Sequence, residues 1–355
     1  MKSRLYRTYL RWAPALLGGA VLLSHSFVAL AQTAPHRTLT NGLIRTNVYL
    51  PDEEKGFYRG TRFEWAGVIG DFTYAGHSFY NPWFTKMEPG VSDFVFRGAD
   101  IVAGEASAIT GPAEEFVSDD GALNYASAPA GGTFIKIGVG LLRKPDSGKY
   151  NKYRLYQIVD GGRWTVDEHS DWISLTQRLI DKESGTGYVY RKTIRLIPGE
   201  PKMRIEHSLK NIGENDIETR VYDHNFLALD GQTTGPDFRV TLPFKIDPKK
   251  PVDANLGGVE GSSVVYKKPL EGEERFMVAV GGYGESAADY RVSIQNTKLD
   301  AGVTITGDHP LQSELLWSIR SVLAVEPYIK LSIPKGGEET WSYEYTYSAN
   351  RKATK

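Results

Sequence analysis

The stretch RIEHSLKNIGENDIETRVYDHNFLALDG, residues 204–231, is two runs of alternating apolar residues around a polar Asn211-Ile212-Gly213 turn. Period-two alternation reads as half-buried strands, and the Asn-x-Gly step reads as the turn between them. The second run carries Asp223, His224 and Asn225 between Val221-Tyr222 and Phe226-Leu227. A buried strand does not accept an acid and an imidazole without partners. Either His224 is a core histidine bonded to a neighbour such as Asp223, or the group does chemistry.

A second stretch has the same design. LWSIRSVLAVEPYIKLSIPKGGEETWSYEYTY, residues 316–347, is again strand, turn, strand, with Glu326 in the apolar setting LAVEPYI. The ordinary role for Glu326 is a strand-edge carboxylate paired with Arg320 or Lys330. Its neighbours Val325 and Pro327 make that role unusual for a buried face.

The rest of the chain repeats the pattern. Residues 134–142, 188–197, 203–211, 290–296, 328–334 and 341–348 alternate, and turn residues separate them. Residues 314–325 are too β-branched for a helix, and residues 247–262 read as a Gly/Pro-rich surface loop. More than a dozen such runs without convincing helices predict an all-β, large antiparallel sandwich.

Composition narrows the function classes. The chain has 355 residues, 41% hydrophobic, with 20 Tyr, 14 Phe and 7 Trp and a formal charge of −1. That balance, without a basic stripe, argues against nucleic acid as a partner. Aromatic richness suits a cleft that packs on the apolar faces of sugar rings. No cysteine is present, which excludes disulfides and thiolate metal sites.

Residues 1–31 read as a secretory signal peptide: Lys2, Arg4, Arg7 and Arg11, then an apolar segment, then Ala29-Leu30-Ala31. Residues 32–355 are expected as one domain, periplasmic or secreted from a bacterium, with no membrane insertion after cleavage. Losing those four cations leaves 38 of the 42 basic side chains against 43 acidic ones.

Both quoted stretches resemble the galactose mutarotase-like superfamily, which includes the aldose 1-epimerases. That family has a strand ending in Asn-x-Gly, then a strand carrying His-x-Tyr-Phe-Asn-Leu or similar. It also has a late glutamate before a Pro-Gly-Glu turn and a final aromatic strand. YDHNFLAL departs from the family at Asn225-Phe226-Leu227. In residues 41–79 only the opening hairpins are similar.

The resemblance implies a large β-supersandwich and a mono- or oligosaccharide ligand. It implies interconversion of sugar anomers, with Glu326 taking the proton of the anomeric hydroxyl and His224 protonating the ring oxygen. A glutamate and a histidine on opposite sides of one ring meet that need, with no metal or cofactor. Arg59, Arg62 and His77 are candidate replacements for the family's early arginine and histidine motifs. Glu115, in GPAEEF, is a candidate acceptor for a sugar hydroxyl or a second acid–base group. Asp223 is a further candidate contact, Arg320 could orient Glu326, and His207 could meet His224 in space. One or two of Trp65, Trp83, Trp164, Trp172 and Trp317 are expected in the cleft.

Two alternatives belong to other classes. One is a non-catalytic carbohydrate-binding or glycan-assembly module, which needs only aromatics and hydrogen-bonding groups. The other is a polysaccharide lyase, which needs Arg59 or Arg62 near Tyr222 or His224 to neutralise a uronate.

Overall fold

The computed structural model describes residues 33–350. The expected signal segment lies outside the described residues. No helix among the described residues is long and apolar enough to cross a membrane.

Two antiparallel sheets dominate. The ten-stranded sheet is built around the meander Trp172–Asp181, Thr186–Leu196 and Lys202–Asn211, and continues through Glu338–Ala349, Ala301–Gly307 and Arg291–Asn296. The five-stranded sheet runs in the order Phe276–Val280, Ser313–Ile319, Val322–Ile333, Ile217–Leu227, Gly111–Val117. Val221, Ile329 and Leu331 of the smaller sheet share one buried core with Ile194, Ile205 and Tyr343 of the larger. The other face of the smaller sheet has its own core, where Phe226 and Val322 pack with Phe63, Trp83 and Phe134. The smaller sheet is therefore covered on both sides.

Residues 316–347 begin in the hairpin of Ser313–Ile319 with Val322–Ile333, but neither the Asn211-Ile212-Gly213 turn nor the turn after Ile333 closes a hairpin. Each turn carries the chain from one sheet to the other. Lys202–Asn211 pairs with Glu338–Ala349 in the large sheet, and Ile217–Leu227 pairs with Val322–Ile333 in the small one. The two corners lie against each other and are bonded together. The Asn211 amide donates to the carbonyls of Asn215 (2.8 Å) and Ile333 (3.0 Å), and its backbone N–H donates to Gly337 (2.9 Å). Its side-chain oxygen accepts from the Gly213 N–H. Gly213 is needed for space: a Cβ there would sit 2.5 Å from the Gly187 nitrogen.

Two local expectations are corrected. Residues 134–142 are not one strand but the hairpin Thr133–Lys136 and Gly140–Arg143, turned at Gly138 with φ of 78°. A strand pair, Gly257–Glu260 with Ser263–Tyr266, begins inside the expected loop of residues 247–262. In both, glycine and alternation were in conflict, and in the first the turn prevailed.

Between the sheets lies a buried ionic network. Lys192 donates to Glu64 (2.7 Å) and to Glu114, while His207 Nε2 sits 2.7 Å from Glu114 Oε1. Glu314 is also buried on the core-facing side, opposite Pro327 in register, and its Oε2 meets no hydrogen-bond partner among the described residues. Burial pushes its carboxyl up to about 8.

Two outcomes are expected. Asn211 is 1% exposed, and Asn211→Ala strands buried carbonyls at the corner. Urea melts should show a loss of roughly 2–3 kcal/mol; a loss below the fitting error would remove Asn211 from this role. Glu314 binds its proton more tightly folded than unfolded. Its contribution to stability is intact at low pH and declines from the ordinary carboxylate range up to about 8. Thermal melts from pH 5 to 9 should therefore fall more steeply for the wild type than for Glu314→Gln. Parallel curves would show that Glu314 ionises in place without cost.

Candidate functional site

Register brings His224 and Glu326 together. Tyr222 stands opposite Tyr328 and Asn225 opposite Val325 on paired strands. Counting between them sets His224 beside Glu326, on the same face of the small sheet. His224 Nε2 and Glu326 Oε1 are 3.3 Å apart. The expectation that the two groups flank a ring from opposite sides is corrected: they are neighbours. The chemistry tolerates this, because O1 and O5 of a pyranose are bonded to the same carbon.

The pair opens into a cavity of about 270 Å³. That is just under the roughly 300–1,000 Å³ of pockets for drug-sized ligands, and suits one sugar ring. Its wall is aromatic. The His224 ring stacks on Phe226 at 3.7 Å, Phe226 stacks on Trp83 at 5.7 Å, and Trp317 meets His224 edge-on at 5.9 Å. These contacts lock the imidazole orientation. Of the five tryptophans singled out, Trp83 and Trp317 line this cavity and the other three do not.

Arg62 is the other fixed charge. It donates to Glu115 (2.9 Å) and to the Tyr222 hydroxyl (3.1 Å), and lies 3.8 Å from Asp93. Glu115 also accepts from Lys136 (3.1 Å) and from Tyr222. Burial alone would raise Glu115, but Lys136 and Arg62 outweigh it and hold the carboxyl well below its usual range. Glu115 is thus an anchor for Arg62, its carboxylate already bonded by three donors.

The catalytic candidates are tuned apart. Burial, with Arg62 and Lys152 nearby, pushes His224 well below its ordinary value. Burial raises Glu326 to about 7 against the same two cations. Below about 7 the pair shares one proton, held on Glu326. Tyr328, two residues on and on the same face, reaches Glu326 Oε2 at 3.4 Å.

Several candidates lie elsewhere. Asp223 points to the opposite face, where the Tyr345 hydroxyl bonds it, and burial raises its carboxyl. It is neither a contact in the cavity nor a partner of His224. Arg320 donates to the carbonyls of Gly272, Ala99 and Asp100 rather than orienting Glu326. Arg59 is exposed and donates to the Glu54 carbonyl. Lys330 pairs with Glu218. His207 stacks on Trp341 between the sheets, and His77 pairs with Asp230; neither lines the cavity.

Sequence reading missed Lys152, Tyr153 and Asp93, which line the cavity. They sit in irregular segments, where no periodicity marks which way a side chain points. Tyr328 was within reach, because alternation from Glu326 puts it on the same face.

No protein-family model matches the chain, and no curated protein matches it. Solved structures do resemble it. The Slr1438 protein from Synechocystis sp. PCC 6803 matches with a TM-score of 0.52 at 11% identity, over 89% of this chain and 96% of that one. A galactose mutarotase related enzyme from Lactobacillus acidophilus matches with a TM-score of 0.50 at 12% identity, over 90% and 99%. The chain has the galactose mutarotase-like fold, an antiparallel β-sandwich, as the two strand–turn–strand stretches implied.

Proposed function

We propose that the protein is a carbohydrate-active enzyme of the aldose 1-epimerase type, with His224 and Glu326 as its acid–base pair. The observation that carries this reading is their 3.3 Å approach at the base of an aromatic-walled cavity. Export, cleavage after residue 31 and action in a periplasm or outside the cell are part of the same proposal.

The reaction needs one proton to enter and one to leave at the anomeric centre. A base removes the O1 hydroxyl proton as the C1–O5 bond breaks, and an acid delivers a proton to O5. Rotation about C1–C2 and the reverse steps give the other anomer. A pair holding a single proton satisfies both demands. In the free protein that proton rests on Glu326, the reverse of the roles the resemblance implies. Contact between the two groups lets it transfer before or during the reaction, so the pair rather than either residue sets the pH response.

The lyase alternative asked for Arg59 or Arg62 near Tyr222 or His224; Arg62 lies 3.1 Å from Tyr222 and lines the cavity with His224. Yet Tyr222 is fully buried, donates a hydrogen bond to Glu115, and is pushed well above the ordinary phenol value by that burial. A phenol in that state does not serve as a base at neutral pH. A purely binding module does not require a buried carboxyl in contact with an imidazole, and that contact favours the enzyme reading.

Polarimetry of freshly dissolved α-galactose and α-glucose tests the reading. Wild type should accelerate mutarotation, and His224→Ala and Glu326→Gln should each lower kcat/KM by about a hundredfold or more. No acceleration of either sugar, or full activity in both variants, would overturn it. The pH profile is a separate outcome. The active form carries one proton on the pair, so kcat/KM should be level below about 7 and fall above it. A profile that rises through neutrality would mean that Glu326 acts only when ionised and that His224 does not share its proton.

A further inference from the structure

Beside the site lies a second cavity, of about 540 Å³. The two share Lys152, Leu315 and Tyr328 as lining residues, so they are halves of one cleft. The first takes one ring. The second is larger and begins where the first stops.

The charge of this cleft differs from that of the chain. Arg62, Lys152 and Arg275 line the first cavity, and Arg220 and Lys249 line the second. The facing carboxylates are Asp93, Glu326 and Glu115; Glu314 borders the second cavity, but its side chain points into the sandwich core. Glu115 is paired with Arg62 and Lys136, Glu326 is only partly ionised near neutrality, and Lys152, Arg275, Arg220 and Lys249 remain as further cations. An excess of positive charge thus lines a cleft in a chain whose formal charge is −1. A cleft of one sign focuses the field on a ligand of the other.

Lys152 stands where the cavities meet. Among the described residues it makes no hydrogen bond and no ion pair with a carboxylate; its ammonium lies 5.3 Å over the Tyr153 ring. It is largely withdrawn from water, so burial, together with Arg62, lowers its pKa. Glu115, Glu326 and Asp93 offset only part of that cost from a distance, and none of them bonds it, so an anionic ligand group would be its first direct partner.

We propose that the cleft binds an acidic saccharide of two or more rings, with the reducing ring against His224 and Glu326 and an anionic group on Lys152. The inference rests on the carbohydrate reading and adds a ligand class to it. A carboxylate or a phosphate would each satisfy Lys152, and the test separates them. Such a ligand also acts on the pair itself. Lys152 helps to hold His224 neutral, and an anion on Lys152 offsets that effect, so the acidic ligand makes the imidazole of the pair easier to charge.

Calorimetric titration of the purified protein would use digalacturonate, galacturonate, galactose 6-phosphate, galactose and a neutral galactose disaccharide. Digalacturonate should bind at least about tenfold more tightly than the neutral disaccharide and than galacturonate. Tighter binding of galactose 6-phosphate than of galacturonate would assign the anion as phosphate; the reverse order assigns it as carboxylate. Lys152→Gln should collapse the preference of acid over neutral ligand, and Arg220→Gln should reduce the gain from the second ring. Equal affinity for acidic and neutral disaccharides, or an unchanged preference in Lys152→Gln, would overturn the inference. The two readings fail separately. Accelerated mutarotation of galactose with no acid preference leaves the enzyme reading and removes this one. Lysine-dependent acid binding with no acceleration of any reducing sugar does the opposite.

Discussion

The structure depends on the pairing of two corners. Each quoted stretch carries the chain from one sheet to the other, and Asn211 bonds one corner to the other at Ile333 and Gly337. That contact sets the register of two strand pairs at once, one in each sheet. Because side chains alternate, a slip of one residue would turn Glu326 away from His224 and into the sandwich. The chemistry of the cleft is thus specified by hydrogen bonds at the strand ends, far along the chain from either residue. Pro327 adds to this. It has no N–H to give the ladder, and the Asn225 amide donates instead to the carbonyl of Asp223, opposite Pro327 (3.0 Å), as well as to that of Val325 (3.2 Å).

The same alternation divides the buried charges into two groups. Glu114 and Glu115 are adjacent in sequence, yet they stand opposite Asp223 and Tyr222 and face opposite ways. Glu114 joins Lys192 and His207 between the sheets. Glu115 joins Arg62, Lys136 and Tyr222 under the cleft. A buried carboxylate persists only when cations and donors compensate its desolvation, and here each has its own set. One sheet layer separates a network that binds the sandwich together from one that positions an arginine beside the cavity.

Much of this was legible in the sequence. Alternation and turn residues were enough for the sheet-rich architecture, and the resemblance picked out His224 and Glu326. Strand parity also explains the misses. Asp223 adjoins His224 in sequence, and for that reason it lies on the other face. Arg320 seemed near Glu326 along the strand, but the turn between Ser313–Ile319 and Val322–Ile333 carries it out to loop carbonyls. Arg59 and Arg62 could not be told apart in YRGTR, because that segment is not a regular strand and offers no parity to count. Lys152 was invisible for the same reason: only the fold of residues 144–157 over the small sheet brings it to the cleft.

These differences follow a division of labour. The groups proposed to move protons stand on the central strands of a sheet covered on both faces, where aromatic stacking and hydrogen bonds leave them little freedom. The groups proposed to select the ligand, above all Lys152, come from irregular segments laid over that sheet. Rigid strands hold reacting groups to the tolerance chemistry requires, while loops can change without disturbing the core. The two layers are nonetheless electrically coupled, since Arg62 and Lys152 favour the deprotonated forms of both His224 and Glu326. A change in what the loops bind must therefore alter the protonation of the pair beneath them, so ligand selection and acid–base readiness are one property of the cleft.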